Sequence, residues 1–88
     1  MASLPKFYIN VLNEGPEGTV IVTEYINDNE KKVVLEEKMK QNEKIDDVEC
    51  EGTGYKTFHW LNVASQHEGS EQKADGLTLH VDPQGLNK

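Results

Sequence analysis

The ten residues Tyr55–Ala64, YKTFHWLNVA, constrain the fold more than any other stretch. Side chains alternate across an extended strand, so Tyr55, Leu61 and Val63 would face one way and Phe58, Trp60 and Ala64 the other. Both rows carry apolar groups. A strand of that kind needs cover on both sides, which predicts a central place in a packed β structure.

Much of the remaining sequence carries the same two-residue period. Lys6–Asn13 reads as a strand with Phe7, Ile9 and Val11 on one face. Glu14–Gly18, EGPEG, is a turn, because its glycines tolerate positive φ and Pro16 fixes its own. Thr19–Ile26, TVIVTEYI, is rich in β-branched residues and reads as a strand. The polar turn Asn27–Glu30, NDNE, leads by a hairpin into Lys31–Leu35.

Val34–Lys44 supports two readings. Leu35 and Met39 fall four apart, as on one helical face, with Glu36 and Lys40 in ion-pair register. The β-branched Val33–Val34 pair and the lack of an N-cap favour an extended segment that turns at Gln41–Lys44. We prefer the extended form, with one short helix as the alternative.

Farther on, Ile45 alternates onto one row with Asp47, Glu49 and Glu51, and Val48 and Cys50 onto the other with Asp46. Ser65–Gly76, SQHEGSEQKADG, reads as a solvated loop. Leu77–Asp82 forms a last strand with Leu77, Leu79 and Val81 inward and Thr78, His80 and Asp82 outward. Pro83 lacks an N–H and ends the pairing, so residues 83–88 read as a frayed tail. No internal repeat is visible. The expectation is a single all-β domain over residues 1–88, an antiparallel sandwich or small barrel of about six or seven strands.

With 88 residues, the chain has room for one core. Such a chain buries roughly 60–65% of the surface it exposes when unfolded, so its stability margin is thin. The first and last strands are expected to leave an open edge, and pairing that edge would give a homodimer.

Charge excludes more than it assigns. The formal net charge is −7, and every cationic side chain is lysine. Without arginine the chain lacks the planar fork that grips phosphates and guanine edges. An acidic surface also cannot displace the counterions of a nucleic acid, and anionic membranes are disfavoured for the same reason. The expected partner is a neutral or basic one. Cys50 is the single cysteine, which rules out an intrachain disulfide. The N-terminal MASLPKF shows no signal-peptide core, and no stretch approaches the ~20 apolar residues of a membrane span. These features together read as cytoplasmic.

The densest charge feature is Asp46, Asp47, Glu49 and Glu51, four carboxylates with no lysine between them. It lacks the calcium-loop spacing. It reads either as a contact strip for a basic protein or as a charged edge that repels unwanted pairing. Trp60 offers a stacking surface for a sugar, with His59, Asn62 and Glu68 as hydrogen-bonding neighbours, or else it packs in the core with Phe58. His67-Glu68 with Glu71 falls short of the zinc-protease pattern, because Glu71 stands where a second histidine belongs. His59, His80 and Cys50 show no paired ligand spacing, so no metal or cofactor is expected.

Nucleophilic catalysis has no candidate. The nucleophile-elbow motif is missing, and the acids around Cys50 would raise its pKa. The chain therefore reads as a non-enzymatic protein-binding module, an inhibitor or effector that docks a basic partner. The alternative is a small carbohydrate-binding protein that uses Trp60.

Overall fold

A computed structural model describes residues 7–51 and 55–83; of the tail expected at 83–88, only Pro83 is among them. Seven strands make up its regular structure: β1 (Phe7–Asn13), β2 (Gly18–Asn27), β3 (Glu30–Met39), β4 (Lys44–Cys50), β5 (Lys56–Asn62), β6 (His67–Lys73) and β7 (Thr78–Val81). They form a small β-sandwich. One sheet has the order β4-β1-β7 and the other β3-β2-β5-β6. No described helix is long and apolar enough to cross a membrane.

Alternation explains most of the core. Phe7, Ile9 and Val11 of β1, Val20 and Val22 of β2, Phe58 and Trp60 of β5, and Leu79 and Val81 of β7 meet between the sheets. Leu35 and Met39 of β3 join them, so Val34–Met39 is extended and the chain turns over residues 40–43. Phe7 and Phe58 stack across the interface, with ring centroids 6.2 Å apart.

The run at Tyr55–Ala64 is apolar on both rows, yet only one row is covered. β5 lies inside its sheet between β2 and β6, as expected of a central strand. Phe58 and Trp60 are buried, Leu61 is half-buried, and Tyr55 and Val63 are exposed. The sandwich has two layers, so the outer face of β5 meets solvent.

Ser65–Gly76 is not a loop throughout: His67–Lys73 forms the edge strand β6, paired antiparallel with β5. Its inward row is His67, Gly69, Glu71 and Lys73, with no apolar member. Gly69 lies opposite Trp60, and a Cβ there would stand 2.8 Å from Trp60 Cζ2. The indole occupies the space a side chain would need.

Three further expectations are corrected in the smaller sheet. Ile9 pairs with Val48 but Val11 pairs with Ile45, so β4 carries one extra residue, a β-bulge. Asp47 absorbs it in left-handed geometry at φ 59°, and its N–H donates to Asn10 Oδ1 at 3.1 Å. The bulge brings Ile45 onto the same side as Val48, against the simple alternation. In addition, β1 is not an edge: it lies between β4 and β7, and its pairing with β7 is parallel. Leu77, expected inward, precedes β7 and is exposed.

A repeat without a sequence signal emerges in the connectivity. β1 in the small sheet is followed by the hairpin β2-β3 in the large one, and β4 by the hairpin β5-β6. Phe7 to Lys44 is the same stride as Glu30 to His67. β1 pairs antiparallel with β4, and β2 with β5, as an approximate twofold relation between two three-strand units requires.

Candidate functional site

The acidic strip lies along β4, an edge strand of the small sheet. Strict alternation would turn either Asp46 or Asp47 inward. The bulge leaves both carboxylates exposed, and Glu49, across from Tyr8, is exposed with them. Lys44 Nζ lies 3.5 Å from Asp46 Oδ1, an exposed pair of small energetic weight.

Glu51 is committed elsewhere, since its Oε2 takes a 2.6 Å contact from Lys32 Nζ. That hydrogen bond, followed by the attraction of the Glu51 charge, raises the lysine pKa above its ordinary value. The backbone N–H of Glu51 donates to Oε1 of Glu24, 2.8 Å away. Glu24 is a fully buried carboxylate in an apolar strand. Nothing in TVIVTEYI distinguished it from an outward-facing acid except its parity with Val20 and Val22. Beside it, burial and the Glu24 charge push the Cys50 thiol up to about 12. Cys50 is a protonated core residue whose Sγ lies 3.5 Å from the Val48 carbonyl.

The four residues considered for a sugar do not meet as one set: Trp60 and Glu68 line a common cleft, whereas His59 and Asn62 do not. His59 and Glu68 stand on the outer face of the large sheet, with Nε2 and Oε1 2.7 Å apart. Trp60 and Asn62 point between the sheets and are 3% and 0% exposed. The Asn62 amide is spent on the protein. Its Nδ2 donates to Asn13 Oδ1 and the Pro16 carbonyl, and its Oδ1 accepts from the N–H groups of Ala64 and Ser65. His59, His80 and Cys50 likewise have separate environments, and among the described residues no three ligand-type side chains gather to hold a metal.

A second place was not visible along the chain. Between β6 and β7 lies a cleft of about 470 Å³ lined by Trp60, Glu68, Gly69, Ser70, Glu71, His80 and Pro83. Its size falls in the ~300–1,000 Å³ range of small-ligand clefts. Four successive residues of β6 line it, so the open backbone edge of that strand forms part of the wall. His80 Nδ1 is held 3.2 Å from Glu14 Oε2, and His67 Nδ1 lies 2.7 Å from Oδ1 of the buried Asp82. The signal for this cleft was the glycine at position 69, which lets the indole edge reach the rim.

Searches of family models, curated proteins and solved structures found no match to this chain.

Proposed function

We propose that this domain is a non-catalytic binding module that docks a basic protein along the free edge of β4, through Asp46, Asp47, Glu49 and Glu51. The observation that carries this reading is the bulge at Asp47. It spends a residue in left-handed geometry, and its effect is to present two consecutive carboxylates outward. Bulges that re-aim side chains recur at sheet edges and working surfaces. The chain's net charge of −7 adds long-range attraction for a cationic partner. Glu51 is shared with Lys32 at 2.6 Å and Asp46 with Lys44 at 3.5 Å. The buried, protonated thiol of Cys50 supports leaving nucleophilic chemistry out.

The test compares two variants of equal charge: Asp46→Asn/Asp47→Asn/Glu49→Gln, and Glu17→Gln/Asp28→Asn/Glu36→Gln as the control. Binding of a decalysine peptide is followed at rising salt. The strip variant should lose most of the affinity and much of the salt dependence, while the control keeps both. Equal losses would mean that the peptide senses net charge alone, and the β4 reading would fall.

A further inference from the structure

We propose that the cleft between β6 and β7 binds a neutral, hydroxyl-rich ligand, a saccharide ring, with the Trp60 indole N–H as its central donor. The site lies on the flank away from β4, because β3 adjoins β4 and β6 adjoins β7 across the sandwich. Its fate is therefore separate from that of the acidic edge.

Trp60 supplies the first reason. The residue is 3% exposed, yet among the described residues nothing accepts a hydrogen bond from Nε1. The indole edge that bears Nε1 lies against Gly69, where a Cβ would be 3.2 Å from that nitrogen, and both residues line the cleft. Every fully buried side-chain nitrogen and oxygen among the described residues has a partner, so Nε1 is not sealed off but opens to solvent, and Trp60 lines the cleft. Here the acceptor has to enter from the cleft, so a ligand atom can replace solvent at that point.

The remaining wall narrows the chemistry. Lys73 Nζ holds Oε1 of Glu71 at 3.1 Å, which leaves Oε2 as a partly exposed acceptor on a residue that lines the cleft. Glu14 occupies Nδ1 of His80, and Nε2 is the other polar atom of that ring. Pro83 and the carbon edge of the indole give apolar contact. An ammonium ion could satisfy Glu71 but cannot accept from Trp60. An anion could accept from Trp60 but would meet Glu71 and the Glu14 behind His80. A hydroxyl group does both, and a sugar ring adds C–H faces for the apolar wall. Trp60 thus acts through its N–H edge rather than as an exposed stacking platform.

The chain has one tryptophan, so a nitrogen-15 correlation spectrum contains one indole resonance. Glucose, galactose, mannose and N-acetylglucosamine are titrated into the millimolar range, with ethylammonium chloride and sodium acetate as controls. At least one sugar should shift the indole signal saturably, together with the amides of Gly69 and Ser70, and equally at low and high salt. Trp60→Phe should abolish the amide shifts while the spectrum stays dispersed, and Glu71→Gln should weaken binding several-fold. Absence of an indole shift with all four sugars overturns the proposal, as does an equal shift with either salt. If Trp60→Phe fails to fold, unchanged affinity in Glu71→Gln overturns it. A response of the β6 amides to an extended peptide but to no sugar would assign the cleft to strand addition instead.

Discussion

Asn62 donates from Nδ2 to Oδ1 of Asn13 across 3.2 Å, which ties the end of β5 in one sheet to the end of β1 in the other. Both residues are fully buried. Asn13 Nδ2 also lies 3.1–3.3 Å from the carbonyls of Pro16, Met39 and Lys40, and its Oδ1 accepts from the Gly15 N–H. Three connections between strands depend on these two amides. Asn13→Ala and Asn62→Ala should each cost about 2–4 kcal/mol, because several buried backbone groups lose their partners together. The double variant should cost less than the two losses added, since they share partners. Urea unfolding measures all three. Strict additivity would show the amides acting separately.

Cys50 makes stability sensitive to alkali. The folded thiol holds its proton up to about 12, against an ordinary value of 9.0. Between those values the unfolded chain releases the proton and the folded one keeps it, so stability falls as pH rises from about 9 to about 12. The loss attributable to this group is on the order of 2 kcal/mol, because the thiol is only partly shielded from its surroundings. Cys50→Ala removes that contribution, and its unfolding free energy should decline less steeply over the same interval. Parallel pH profiles for the two proteins would refute the assignment. Alkylation of Cys50 by iodoacetamide at pH 8 should likewise track global unfolding.

The bulge predicts opposite outcomes for two changes at one position. Asp47 has φ 59°, a region glycine enters freely and β-branched residues avoid. Asp47→Gly should be neutral or stabilise by up to ~1 kcal/mol, and Asp47→Val should destabilise by ~1–2 kcal/mol. Thermal midpoints that move the same way would place the strain elsewhere.

Gly69→Ala tests the close approach to Trp60. The added methyl would stand 2.8 Å from Cζ2, so the indole or β6 has to shift. A loss of about 1–3 kcal/mol is expected, with a changed near-ultraviolet signal from Trp60. Wild-type stability and an unchanged tryptophan signal would mean that the two do not touch.

These residues also show what the sequence made legible. β1 and β2 were readable because buried aliphatic and aromatic residues recur at every second place, and the β2-β3 turn because NDNE holds little else. β6 was hidden because its inward row is His67, Gly69, Glu71 and Lys73; a glycine under an indole carries no hydrophobic signal. Parity failed at Ile45 because the bulge, held by Asn10 of another strand, shifts the count by one. The acidic strip could be read as a run of letters. The cleft could not, because Trp60, Glu71, His80 and Pro83 meet only after three strands have been placed.

The parallel partnership of β1 and β7 bears on how the protein is made. Of the described strands, β1 leaves the ribosome ahead of the others, and its sheet stays incomplete until β7 has followed. Until then the side of β1 facing β7 offers unpaired backbone, and Leu79 and Val81 are missing from the core. This domain should therefore remain protease-sensitive until β7 emerges, and its folding should follow that emergence as a single late step rather than proceed strand by strand from β1.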